Sequence, residues 1–173
     1  MVRWSVAAFA AALLIAALIT YLNTPRIPAD SLEYWGTEVS PRPAPYLAEF
    51  KGRPVILTFI DPDCRDTCPM TAAALIGLQH PDLMLVGVNV NPDAEVKDLF
   101  GLERLPNWHF ITGERVELEP VWRAYGVAAL PGPGGKLEHT SGTFLIDREG
   151  MLRVYVNDPP RLGEILRKRL TEL

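Results

Sequence analysis

A chain of 173 residues with 48% hydrophobic and 22% charged side chains has the make-up of one globular domain, with enough apolar material for a buried core. The formal net charge of −4 and the lack of a long basic run exclude the electrostatic footprint of a nucleic-acid binder. Its two cysteines, Cys64 and Cys68, are too few and too close in sequence for a disulfide framework, and read as a redox pair or a metal pair.

Trp4 to Leu22 is an almost unbroken apolar run. About 20 such residues are what a helix needs to cross the hydrocarbon core of a bilayer. Trp4 and Tyr21 stand near its two ends, where aromatic rings favour the interface. A cleaved secretory signal would call for a small-residue cleavage site, and Ile27-Pro28-Ala29 is a poor match. Residues 1–23 are therefore expected to be an uncleaved membrane anchor, with the remainder on the periplasmic or extracytoplasmic side. Prolines at 25, 28, 41, 43 and 45 deny regular helix, so residues 24–45 read as a linker that ends in a short extended segment. The folded domain is expected to occupy residues 46–173.

Within that domain Tyr46 to Phe50 suits a short helical turn, and the apolar β-branched run Val55 to Ile60 suits a buried strand. Ala72 to Leu78 is rich in helix formers. Leu83 to Val90 is continuously apolar, as strands of a parallel sheet covered on both faces are. Asp93 to Leu99 predicts a short helix, Trp108 to Ile111 a short strand, and Pro120 to Tyr125 a helix stopped by Gly126. Pro131 to Gly135 predicts a mobile loop. Thr143 to Asp147 and Met151 to Tyr155, joined by Arg148-Glu-Gly150, predict a hairpin, and Pro160 to Leu173 a closing amphipathic helix. Alternating strands and helices followed by a hairpin and a helix predict a thioredoxin-like α/β fold, a central mixed β-sheet flanked by helices.

The two thiols fall where a strand hands over to a helix, the usual place for an active site in open α/β sheets. Pro69 prefers the first helical position, which predicts Cys68 at the N-cap and Cys64 in the preceding loop. The positive end of the helix dipole would then favour a thiolate. Two adjacent thiolates offer either reversible disulfide chemistry or a soft-metal site. A static disulfide is the plainer alternative, but closing so short a loop contributes little stability.

Soft Cu(I) is well served by two thiolates and one imidazole, and the chain has three histidines to supply it. His80 precedes Pro81 after a helix and needs no function there. His109, in a strand, is most simply a surface or packing residue. His139 ends the Gly/Pro-rich loop and precedes the strand at Thr143, so that both a solvated loop histidine and a ligand remain open.

The segments Thr58-Phe-Ile, Cys64-Arg-Asp-Thr-Cys68-Pro, Val88-Asn-Val-Asn-Pro92, Trp108-His-Phe-Ile-Thr-Gly113 and Glu138-His-Thr-Ser-Gly-Thr-Phe-Leu-Ile-Asp147-Arg-Glu-Gly150 occur in the order seen in the Sco/SenC family. From roughly Phe50 to Tyr155 the chain resembles that family, and its anchored layout agrees. The resemblance implies a thioredoxin-fold copper carrier that helps to build the copper centre of a haem–copper oxidase, with Cys64, Cys68 and His139 as metal ligands. It implies an oxidase subunit as the receiver of copper, and a thiol reductant or another copper chaperone as a further partner. Asp66 matches the motif between the cysteines without being an assigned ligand. Two positions depart from the family: Arg65 replaces a common proline and is expected to favour the thiolates or meet an acidic partner, and Asn91 replaces an aspartate of a Val-Asp-Pro stretch.

A competing activity is thiol–disulfide exchange, in which one of the redox-active pair Cys64 and Cys68 attacks a partner disulfide and the other resolves the mixed disulfide. Dedicated exported reductases usually have two residues between their cysteines and a cis-proline before the strand that corresponds to Thr143 to Ile146. Here three residues intervene, and His139-Thr-Ser-Gly142 holds no proline. A redox sensor is a third reading; a peroxidase lacks its expected flanking residues.

Overall fold

The structure is a computed structural model that describes residues 36–173, apart from residues 79, 81, 133–135 and 158. The expected anchor at residues 1–23 lies outside the described residues. Among the described residues no helix is long and apolar enough to cross a membrane.

Among the described residues, eight strands and three α-helices follow one another. These are β1 (Gly36–Pro43), β2 (Val55–Ile60), α1 (Thr67–Ile76), β3 (Met84–Asn89), β4 (Trp108–Ile111), α2 (Arg115–Ala124), β5 (Ala129–Pro131), β6 (Leu137–His139), β7 (Thr143–Ile146), β8 (Met151–Val156) and α3 (Leu162–Leu170). Six strands form one sheet in the order β1-β8-β7-β2-β3-β4, while β5 and β6 make a separate two-stranded ribbon. β2, β3 and β4 run parallel, and β7, β8 and β1 add antiparallel partners. The sheet is thus mixed, as its sequence pattern predicts.

β2 explains why the sheet is covered on both faces. Ile56 and Ile60 join Ala72 and Leu75 of α1 and Leu162, Ile165 and Leu166 of α3 in one core. Val55, Leu57 and Phe59 point the other way, toward Leu118, Val121 and Trp122 of α2. Successive side chains of a strand face opposite sides, so a strand sandwiched between helices must be apolar throughout. All six residues of β2 are buried accordingly. The indole Nε1 of Trp122 donates to the carbonyl of Asn89 at 2.9 Å, which ties α2 to the end of β3.

Four local expectations are corrected. The extended tail of the Pro-rich stretch is a strand of the sheet, paired antiparallel with β8, so the folded body begins ahead of Tyr46. Its prolines are tolerated because β1 is an edge strand with a register shift between Glu38 and Arg42. Asp93 to Leu99 is a turn followed by irregular chain rather than a helix, since so few residues, bearing little apolar surface, do not offset the cost of nucleation. α2 starts at Arg115, not at Pro120, because Glu117 Oε2 accepts the N–H of Glu114 at 2.9 Å in a capping-box arrangement. Pro120 is accommodated inside the helix. The carbonyl it leaves unbonded, four residues back, belongs to Val116, which is 77% exposed and open to water. Finally, Pro131 and its neighbours belong to the β5–β6 hairpin, where Gly132 N–H donates to the carbonyl of Lys136 at 2.7 Å. The rest of the loop expected at Pro131 to Gly135, residues 133–135, lies outside the described residues.

Candidate metal centre

β2 ends at Ile60, and the chain turns through Asp61-Pro62-Asp63 before Cys64. Asp61 organises this turn. Its Oδ1 accepts the N–H of Asp63 at 2.9 Å, and its carbonyl accepts the N–H of Cys64 at 3.1 Å. α1 then begins at Thr67, with Asp66 as N-cap accepting the Thr67 N–H. Cys68 therefore sits inside the first turn rather than at the N-cap predicted from Pro69. The Asp66 carboxylate takes the Thr67 N–H, and the Cys64 sulfur takes the N–H of Cys68. Pro69 still falls in the first turn, where its missing N–H costs nothing.

The two sulfurs have different surroundings. Cys64 is half-buried, and its thiol donates to Asp66 Oδ1 at 3.2 Å. The same sulfur accepts the main-chain N–H of Cys68 at 3.4 Å, and lies 3.8 Å from Thr67 Oγ1. Cys68 is 2% exposed and is part of the core beneath α1. Both thiols are free.

This burial reverses an expectation. Burial pushes the Cys68 thiol far above its ordinary range, outweighing the Asp61 main-chain hydrogen bond that favours the thiolate, and the nearby Cys64 raises it further. Arg65, exposed on the cleft rim, does not offset this. In contrast, the Thr67 N–H and then the Cys64 thiol hold the exposed Asp66 carboxyl below the usual carboxylate range.

Of the three histidines, the fold brings His139 to the cysteines. Its Nε2 lies 3.7 Å from Cys68 Sγ, and its Nδ1 lies 3.2 Å from the carbonyl of Thr140. With the proton on Nδ1 donated to that carbonyl, the Nε2 lone pair is directed at the sulfur. The β5–β6 hairpin holds the residue: His139 pairs with Ala129, and Thr140 N–H donates to the Ala128 carbonyl at 2.9 Å. Beyond it, the Tyr155 hydroxyl donates to the Ser141 carbonyl at 3.0 Å. A Cβ on Gly142 would come within 2.6 Å of the Tyr155 ring, so this close approach needs glycine. His109 instead packs edge-on against Phe50, with ring centroids 5.2 Å apart, and His80 lies past the end of α1.

Cys64 and His139 line an open cleft of about 590 Å³, rimmed by Asp63, Arg65, Lys136 and Glu138. No three His, Cys, Asp or Glu side chains among the described residues are drawn together tightly enough to be a formed metal site. Cys64 and His139 both reach Cys68: one sulfur rests on its N–H and the imidazole on its Sγ.

Sequence reasoning missed Asp61 and Thr140. Asp-Pro-Asp directly after a strand is the signal of a side-chain-closed turn that could have identified the first. The carbonyl of Thr140 leaves no mark in the sequence.

A six-stranded mixed sheet with helices on both faces, carrying a Cys-x-x-x-Cys pair at a strand-to-helix junction and a histidine beside it, defines a thioredoxin-like dithiol protein. The SCO1/SenC family model matches residues 46–171, and the chain belongs to that family. It is 27% identical over 133 residues to the human mitochondrial protein SCO1 homolog, a match that takes in 68% of this chain and 44% of that one. The chain thus matches less than half the length of this curated relative. The fold is similar to the solution structure of apo Sco1 from Thermus thermophilus, with a TM-score of 0.63 and 24% identity, covering 78% of this chain and 92% of the other. It is also similar to Arabidopsis thaliana ScoI, solved with copper bound, with a TM-score of 0.56 and 20% identity, over 72% and 88% of the two chains.

Proposed function

We propose that this protein is a copper metallochaperone that takes Cu(I) on Cys64, Cys68 and His139 and passes it to the copper centre of a haem–copper oxidase during assembly. The observation that carries this reading is the convergence on Cys68. His139 Nε2 is 3.7 Å from its sulfur, while the Cys64 sulfur rests on its N–H. Two soft thiolates and a neutral imidazole suit Cu(I). Family membership and the copper-bound relative support the same cargo.

Loading replaces the thiol protons of Cys64 and Cys68 by the metal, and those protons leave to solvent. The Thr140 carbonyl keeps the imidazole in the tautomer that offers Nε2. Cys64 faces the cleft, so a partner's soft ligand can displace it first, with Cys68 and His139 holding the ion until the exchange is complete. The receiving partner in this reading is an oxidase subunit, and a thiol reductant or another copper chaperone keeps the pair reduced and loaded. Residues 1–23 anchor the chain in the membrane with residues 46–173 outside the cytoplasm.

An anaerobic titration of the reduced full chain against a Cu(I) chelator tests the reading; about one tightly held Cu(I) per chain is expected. No retention of copper against a weak chelator would overturn it.

One observation favours a second reading. A half-exposed Cys64 over a buried Cys68 has the layout of an attacking and a resolving thiol. Turnover of a protein disulfide by the reduced chain, with negligible copper retention, would assign the protein to thiol–disulfide exchange.

A further inference from the structure

Asp61 is not a ligand in the proposed site, yet it is an ionisable residue only 5% exposed at the end of a core strand. Its Oδ1 receives two donors at 2.9 Å, the N–H of Asp63 and the side-chain amide of Asn91. Its carbonyl receives the N–H of Cys64. One residue therefore joins the cysteine turn to the turn after β3. From Asn91 the connection continues: its N–H donates to Asn89 Oδ1 at 2.9 Å, and the Asn89 carbonyl accepts the Trp122 indole at 2.9 Å. The backbone runs alongside, with Val90 N–H on the Ile60 carbonyl at 3.0 Å.

A carboxylate can only accept, so the residue facing it must donate. Asparagine at 91 supplies that donor. An aspartate at 91 would set two acceptors against each other with like charge between them, and a buried acceptor that loses its partner is costly.

We infer that Asp61 and Asn91 form a matched acceptor–donor pair that fixes the position of the Cys64 limb, making both positioning residues for the dithiol site. The departure at Asn91 is then not a loss at the metal site: position 91 donates because the carboxylate stands at 61. Both donors end on one Oδ1, so exchanging the two residues removes the like charge but cannot restore both bonds: Asn at 61 places either its oxygen there for the Asp63 N–H or its nitrogen there for Asp at 91.

The inference rests on the copper reading for one arm of its test and is independent of it in the other. In the reduced, metal-free full chain, the rate of Cys64 alkylation by iodoacetamide, read by mass spectrometry, reports how firmly the limb is held. Asn91→Asp is expected to raise that rate several-fold and to weaken Cu(I) retention about tenfold, as changes to residues that orient metal ligands do. Asp61→Asn combined with Asn91→Asp, which relieves the like charge, is expected to recover part of the loss in both readouts without reaching the parent. Asn91→Ala, which removes the donor without adding charge, should move both in the same direction by less, and serves if Asn91→Asp does not fold. An unchanged alkylation rate in the folded single variants, or a double variant no better than Asn91→Asp, overturns the inference. A parent chain that retains no copper overturns the proposed function instead, and leaves the alkylation arm to decide the pair.

Discussion

The imidazole Nε2 of His139 lies 3.7 Å from the sulfur of Cys68, although 71 residues separate them along the chain. β7 makes this possible: it pairs antiparallel with β2, so the loop that enters β7 sits beside the turn that leaves β2. If this proximity is a ligand relationship, His139→Ala weakens Cu(I) retention by more than the roughly tenfold expected of a residue that only orients a ligand. Chelator competition on the reduced chain measures it. Retention equal to the parent would remove His139 from the site.

The buried Cys68 thiol gives stability a pH signature. Its folded-state pKa is raised by burial, so below the ordinary thiol value the proton is bound in folded and unfolded chains alike and the fold has its full stability. Above about pH 8.5 the unfolded chain ionises this thiol while the folded chain does not, and stability falls as pH rises further. Tyr125 and Tyr155, also raised by burial, add to the loss only above their ordinary value of 10.0. Denaturant melts of the metal-free chain should show the decline starting near the thiol value, and Cys68→Ser should delay it to the tyrosine range. A parent chain with flat stability from neutral pH to pH 10 would contradict the burial argument.

Asp66 should matter at the other end of the scale. Its carboxyl is held low, first by the Thr67 N–H and then by the Cys64 thiol. A carboxylate with a depressed folded pKa contributes stability above its unfolded value, and that contribution disappears as pH falls through the folded value. Asp66→Ala should lower the melting temperature at neutral pH and flatten this acid dependence. Asp66→Asn keeps an oxygen on the Thr67 N–H, and should melt close to the parent at neutral pH while also losing the acid dependence. Equal melting of the alanine variant and the parent would show that the cap contributes nothing.

Gly142 offers a test of the loop rather than of the ligand. An added Cβ would stand 2.6 Å from the Tyr155 ring, so Gly142→Ala must move the ring or the loop that follows His139. Overpacking of this kind costs about 1–3 kcal/mol. Copper retention should fall with it, because the Tyr155 hydroxyl holds Ser141, the residue next to the Thr140 carbonyl that faces His139 Nδ1. Replacing Tyr155 by leucine in the same chain should recover stability, since the obstructing ring is gone. No recovery would place the strain elsewhere.

The sequence carried much of the architecture because its signals are local. Val55 to Ile60 reads as a buried strand from composition alone, and it is one. Gly126 stops α2 with φ at +70, a backbone angle that glycine reaches without strain. Signals that depend on partners were less legible. β1 is a strand because β8 lies beside it, and β5 because β6 does. Nothing within Gly36–Pro43 or Ala129–Pro131 announces that neighbour, and their prolines argue against it.

By itself the sequence determined that two cysteines stand at a strand-to-helix junction and that His139 precedes the strand at Thr143, because covalent order and local propensity suffice for both. Only the tertiary structure decided that Cys68 is buried while Cys64 faces the cleft, that Asp66 rather than Cys68 caps α1, and that Asp61 bonds Asn91 between the turns that leave β2 and β3. Those outcomes depend on which acceptor each N–H meets and on how much water each sulfur loses. Both are properties of the packed chain and of no single segment within it.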